Sequence, residues 1–239
     1  MKIRLDKFLS LAGLGSRKKV QSLIKEKTIK VNGKIITTYD FKIDPERDDV
    51  FFNEIPIKYE RFFYYKLYKT QGTITSTKDK EKTVLDLLPK DLPGLNKIFP
   101  AGRLDKDAEG LILLTNDGEL AHRITHPKWK LPKVYEVTLD KPLKEEDKCL
   151  LQKGIELKEG KTQPAIIEFL DTKKTFIKIT VIEGRYHLLK RMFGKLGYKV
   201  LKIKRIAMGP IALEDLKPGE WKPLRDEEIK AVKEALKLL

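Results

Sequence analysis

Gly102-Arg103-Leu104-Asp105-Lys106-Asp107-Ala108-Glu109-Gly110, followed at once by Leu111-Ile112-Leu113-Leu114, is the stretch from which fold and chemistry can be read. Four apolar residues in a row, too few for a helix and flanked by glycine, predict a buried strand over Leu111–Thr115. The acidic loop then sits at a strand end, where chemistry is usually placed. It sets one carboxylate, Asp105, beside Arg103 between two glycines. The plain alternative is a turn aspartate that satisfies loop N–H groups. A calcium loop is a third reading, because Asp105, Asp107 and Glu109 alternate ahead of Gly110. It fails further on: a 12-residue loop needs a bidentate acid at its end, and that position is Asn116.

Working outward, the segments Phe62–Tyr68, Ile98–Arg103, Tyr135–Leu139, Ala165–Leu170 and Thr175–Ile182 also fit strands. Thr83–Leu88, Glu119–Thr125, Lys144–Lys153, Arg185–Leu196 and Asp226–Leu238 fit helices. The two kinds mix without regular βαβ alternation, which predicts an α+β fold with a mixed, largely antiparallel sheet over residues 61–239.

The first 44 residues read differently. They hold eleven Lys and Arg against four Asp and Glu. Leu5, Phe8, Leu9 and Ala12 fall at helical spacing, and Gly13 and Gly15 stop that helix. Ser16 is a good N-cap for a second helix containing Val20, Leu23 and Ile24. Asn32-Gly33 between alternating apolar residues predicts a hairpin. A small domain over 1–44, built as helix, helix, hairpin, is expected, with 45–60 as a connector. The apolar stripes leave Arg4, Lys7, Arg17, Lys18, Lys19 and Lys25 outward. Three of these cations open the second helix, where free N–H groups favour a phosphate.

The whole chain of 239 residues carries a formal charge of +15 and a pI of about 9.6. That balance attracts polyanions, with nucleic acid first and an anionic membrane surface as the rival. No segment approaches the roughly 18–20 apolar residues of a membrane span, and Met1 to Asp6 contain no apolar signal core. The single Cys149 makes no internal disulfide, which points to the cytoplasm. Metal chemistry finds little support. His122, His126 and His187 lack a cysteine cluster or an HExxH spacing.

Residues 1–44 resemble the S4 RNA-binding domain through Arg4-Leu5-Asp6-Lys7-Phe8-Leu9, Gly15-Ser16-Arg17-Lys18 and Val31-Asn32-Gly33. The remainder resembles the pseudouridine synthases, in the branch that modifies ribosomal RNA and carries an S4 domain in front. The matching text is Ala101 to Asp105, Gly110 to Leu120, His126-Pro127, Lys133-x-Tyr135 and Glu183-Gly184-Arg185 to Lys190-Arg191-Met192. Lys69-Thr70-Gln71-Gly72 is a weaker match, and the tail Leu216 to Leu224 also fits. Ala101, His122 to Thr125 and Arg185 to Phe193 look most like the members acting on the small subunit. Ala108, Leu188 and Thr70 depart from the family's usual threonine, glutamine and proline.

The resemblance implies isomerisation of a uridine to pseudouridine in 16S rRNA, free or in a 30S assembly intermediate, with no cofactor or metal required; a monomer without a membrane partner is expected. It implies Asp105 as the essential carboxylate, Lys190 as its basic partner with Arg191 in reserve, and Tyr135 packing on the base. It further implies that Arg103 fills the gap left by the extruded uridine and that Arg191 contacts RNA. A 23S rRNA target is the first alternative. A non-catalytic S4-type assembly factor is the second, although some 100 residues would suffice for that role.

Overall fold

Asn32 and Gly33 both take positive φ, 49° and 79°, the left-handed pair that a tight hairpin requires. The computed structural model, which describes residues 2–57 and 61–239, accordingly pairs Ile29–Val31 with Lys34–Ile35 around that turn. Helix Leu5–Leu11 and helix Arg17–Lys25 precede it, and Ser16 caps the second by accepting the Lys19 N–H at 3.4 Å. Leu5, Phe8, Leu9, Val20 and Ile24 close on Ile29 and Val31 in one core. The expected connector over 45–60 is corrected here. Val50–Phe52 lies antiparallel to Ile29–Val31, and Ile55–Pro56 adds beyond it. Apolar alternation at the end of a short hairpin sheet recruits a further strand, because an open edge leaves N–H and C=O groups unpaired. The unit therefore runs over 1–62. Residues 58–60 of the expected connector lie outside the described residues.

The second unit, 63–239, holds a nine-stranded sheet. Its order is Ile166–Phe169, Phe176–Val181, Lys133–Leu139, Val200–Met208, Glu109–Thr115, Tyr64–Lys69, Trp221–Pro223. Phe99–Pro100 and Ile211–Ala212 pair beside this path. The expected mixed α+β class holds, and a parallel pair in this sheet joins Lys204 to Glu109 and Arg205 to Gly110. Strand Glu109–Thr115 shows why four apolar residues follow one another. Leu111 and Leu113 face a core closed by helices Gly118–Thr125 and Asp226–Ala235, whereas Ile112 and Leu114 face one closed by Val84, Leu88 and Leu92. A strand covered on both faces has no polar side to show.

Some expected elements differ. Thr83–Leu88 yields only the short turn Leu85–Leu87, because Asp86 accepts from both the N–H and hydroxyl of Thr83 and Pro89 forces Leu88 extended. The helix expected from Arg185 starts at Leu188, after a left-handed His187 with φ 48°. Cys149, placed by its pattern toward a core, is exposed. Strand Val200–Met208, at the centre of the sheet, went unassigned in the sequence.

Candidate active site

Gly110 decides how closely the Asp105 loop approaches the centre of the sheet. Its φ is 107°, and a Cβ there would lie 2.3 Å from the Arg205 carbonyl oxygen. With no side chain, strands Glu109–Thr115 and Val200–Met208 meet in parallel at that point. Across Val200–Met208, Tyr135 is the register partner of Arg205, next to a β-bulge. Cross-strand partners share a face, so the end of the acidic loop, Arg205 and Tyr135 are brought side by side. Lys133, two residues before Tyr135, shares that face.

The loop itself is fastened from segment 69–75. Lys69 is fully buried, and its ammonium donates to the carbonyls of Thr70, Lys106 and Ala108 at 3.2, 3.2 and 2.6 Å. Burial pulls its pKa down to about 8, against the pull of Asp107 and Asp105. Thr75 donates its hydroxyl to Leu104 O at 2.8 Å and accepts the Leu104 N–H. Gly72 N–H reaches Lys106 O at 2.8 Å.

Held this way, Asp105 borders a cavity of about 250 Å³ together with Gly102, Arg103, Lys133, Tyr135, His187, Lys190 and Arg205. The Asp105 side chain is 27% exposed, and His187 Nε2 stands 3.4 Å from its Oδ1. Tyr135 is half-buried and packs on the core of the sheet. Arg103 is exposed at the cavity.

Lys190 departs from expectation. Its ammonium bonds both oxygens of Asp107, at 2.7 and 2.6 Å, and that bond holds the Asp107 carboxyl below its ordinary range. It lines the cavity without pairing with Asp105, because the left-handed His187 starts the helix late and turns the imidazole toward Asp105. Arg191 is bound to Glu159 and to the Tyr186 carbonyl. Arg4 is held by Asp6 at 3.0 and 3.1 Å, whereas Arg17, Lys18, Lys19 and Lys25 are exposed as expected.

Sequence reasoning missed Arg205 altogether. This arginine is 2% exposed and donates Nε to Leu111 O at 2.8 Å and Nη1 to Arg103 O at 3.3 Å. The alternation Lys202-Ile203-Lys204 ahead of Gly209-Pro210 was the signal available. Burial also brings Lys133 down to about 8, helped by the Arg205 charge. Among the described residues, no three His, Cys, Asp or Glu side chains gather as a metal site.

One carboxylate held rigidly at a strand end, beside a half-buried aromatic and buried cations, suits covalent or proton chemistry on a planar ring in an RNA. Comparison with known proteins decides which family this is. The model of the RNA pseudouridylate synthase family matches residues 64–195, and that of the S4 domain matches residues 3–49.

The chain belongs to the RNA pseudouridylate synthase family.

An uncharacterized RNA pseudouridine synthase of Aquifex aeolicus is 43% identical over 96% of this chain and 93% of its own length. The ribosomal small subunit pseudouridine synthase A of Escherichia coli is 38% identical, over 96% of this chain and 100% of its own length. The ribosomal large subunit pseudouridine synthase B of Bacillus subtilis is likewise 38% identical, over 96% and 95%. A solved pseudouridylate synthase superposes with a TM-score of 0.67 at 37% identity, covering 96% of this chain and 99% of that one. As an RNA pseudouridine synthase, the protein is an isomerase with an S4 RNA-binding domain ahead of its catalytic domain.

Proposed function

We propose that this pseudouridine synthase acts as a cytoplasmic monomer on one uridine of 16S rRNA, free or in a 30S assembly intermediate. One observation carries the small-subunit reading. The three stretches that resemble small-subunit members, around Ala101, His122 to Thr125 and Arg185 to Phe193, converge on the cavity that holds Asp105. Ala101, Ile124, Thr125, Arg185, His187 and Leu188 all line it. Residues bordering the reacting nucleotide and its neighbours set which RNA fits. The relative acting on the small subunit and the one acting on the large subunit stand at the same identity, 38%. Overall similarity therefore does not separate the two targets, and local text at the cavity supports the small-subunit one.

The reaction breaks the C1′–N1 bond of uridine, turns the base and joins C1′ to C5. The C5 proton is lost and N1 gains one, so atoms balance with nothing added. Asp105 is the group for the sugar: its carboxylate either bonds C1′ or takes the C2′ proton. Tyr135 packs on the base and holds its plane during the turn, and its phenol serves the C5 proton. Arg103, exposed at the cavity, fills the gap in the RNA left by the extruded nucleotide, an extrusion that costs a few kcal/mol. Lys190 acts through the loop: tied to Asp107, it fixes the segment that carries Asp105. Arg4, Arg17, Lys18, Lys19 and Lys25 of the S4 domain, with Arg191, supply phosphate contacts that position the RNA without reading its bases.

Purified protein incubated with 16S rRNA, 30S particles and 23S rRNA tests this target, with pseudouridine mapped afterwards. One new pseudouridine in 16S rRNA or the 30S particle is expected, and none in 23S rRNA. Modification of 23S rRNA alone would overturn the small-subunit target.

A further inference from the structure

Among the described residues, the Nη2 of Arg205 is the buried side-chain nitrogen or oxygen with no hydrogen-bond partner. Such a group is costly, since a buried donor without an acceptor forfeits its hydration. The cost is larger for a guanidinium, which keeps its charge at any accessible pH. Its other two nitrogens are engaged: Nε donates to Leu111 O and Nη1 to Arg103 O. The side chain is thus clamped at both ends of the acidic loop, and the third nitrogen is left for something else.

Its surroundings indicate what that something is. Arg205 lines the same cavity as Asp105 and Tyr135, and its backbone is in register with Tyr135. Its charge also lowers the pKa of both Lys69 and Lys133, in a region whose acids are Asp105, Asp107, Glu109 and Glu183. Among the described residues, Lys133 donates to Leu131 O alone, at 3.1 Å. Lys69 is satisfied by three carbonyls, so the donor capacity left in the cavity belongs to Arg205 and Lys133, and it suits an oxygen-rich, electron-rich guest. A residue 2% exposed is out of reach of a phosphate that keeps its place in the RNA backbone. A base turned out of its stack enters the cavity, and uracil brings two carbonyl oxygens, O2 and O4.

We infer that Arg205 is a catalytic residue, donating through Nη2 to a carbonyl oxygen of the target uracil and stabilising the negative charge the base gains as it leaves the sugar. The inference rests on the pseudouridine reading above. When C1′–N1 breaks, the electron pair departs with N1 and spreads over N1, O2 and O4. The sugar is satisfied either by a bond from Asp105 to C1′ or by loss of the C2′ proton to Asp105. A fixed donor aimed at oxygen holds the uracil anion more strongly than the neutral base, which lowers the barrier and not merely the binding constant. The same donor keeps the base in the cavity while it turns. It engages the base during the turn and is displaced by no other acceptor.

The test is a chemical cycle. After the target uridine is mapped, synthetic RNA carrying uridine, 2-thiouridine or 4-thiouridine at that position is turned over once by excess wild-type protein and by Arg205→Gln. Sulfur accepts hydrogen bonds weakly, and comparison of the two proteins removes its intrinsic effect on the leaving base. Arg205→Gln is expected to slow the uridine reaction about 10²-fold, with RNA affinity unchanged within about twofold. Its further loss on one of the two thio-RNAs is expected to be at least about fivefold smaller than the wild-type loss. Losses that multiply independently on both thio-RNAs would overturn the inference. If Arg205→Gln does not fold, Arg205→Lys, which retains the buried charge, replaces it in the same cycle. Wild-type protein that forms no pseudouridine in any rRNA would instead refute the reading on which the inference rests.

Discussion

Asp107 and Asp105 stand two residues apart in one loop, yet they have different neighbours. Asp107 takes Lys190 on both oxygens, and Asp105 faces the imidazole of His187. Adjacent carboxylates in a basic chain could share one cation, and here Lys190 goes to Asp107. This pair is solvent-accessible, at 29% and 68% exposure, and such pairs contribute little stability. Lys190→Met is therefore expected to shift unfolding free energy by about 1 kcal/mol or less. Its rate should fall by about 10²-fold through a loosened loop, well short of what loss of Asp105 itself produces. Calorimetry and single-turnover rates on the same preparation check both halves. A rate as low as that of the Asp105→Asn protein would mean that Lys190 acts directly on the substrate. The place of Asp105 in a loop at a strand end was legible, because an apolar run follows that loop at once. Its partner was not, since Lys190 and His187 are three apart and only the left-handed turn at His187 decides which of them comes to Asp105.

At the scale of elements, the site is assembled by the contact of two strands in parallel. Gly110 permits it, and the residue opposite is Arg205. Gly110→Ala places a Cβ against the backbone N and O of Arg205, at 2.6 and 2.3 Å, where φ is already 107°. Neither backbone can yield without parting the strands, so a destabilisation of several kcal/mol is expected, read as a lowered unfolding midpoint in urea. A midpoint within experimental error of wild type would contradict the strand contact. The strand Glu109–Thr115 was legible because burial on both faces makes its sequence apolar throughout. Strand Val200–Met208 was not. A β-bulge separates the partners Val134↔Ala207 and Tyr135↔Arg205, so the apolar alternation that begins at Lys202 is broken where it matters. The short turn at Leu85–Leu87 failed as a helix for a local reason, an aspartate cap followed by proline.

At the scale of the whole molecule, charge is divided by task. In the S4 domain, Arg17, Lys18 and Lys19 stand exposed on the first turn of a capped helix. In the catalytic domain Lys69, Lys133 and Arg205, beside the Asp105 loop, are buried. Exposed cations exchange counterions with RNA and buried ones do not. Replacing Arg17, Lys18 and Lys19 by alanine should weaken RNA binding at low salt. The slope of log K against log salt should flatten by about two to three. Turnover at saturating RNA should remain. An unchanged slope would remove the S4 helix from the RNA interface. Composition announced the polyanion, and the Asn-Gly hairpin announced the small domain. Its end, expected at 44, lies at 62, because the inner strand Val50–Phe52 and the edge strand Ile55–Pro56 follow a stretch of Pro and charged residues that reads as a connector.

The account depends most on Asp105 as the group that performs chemistry on the ribose. Asp105→Asn preserves shape and most hydrogen bonding while removing the charge and the nucleophile. With purified Asp105→Asn protein and excess enzyme over rRNA, pseudouridine formation should fall by at least about three orders of magnitude, roughly 4 kcal/mol of barrier. Unfolding midpoint and RNA affinity should stay at wild-type values, or affinity should tighten as a negative charge near the RNA is lost. Pseudouridine formed by that variant at a rate within tenfold of wild type would contradict the assignment of Asp105 and the mechanism built on it.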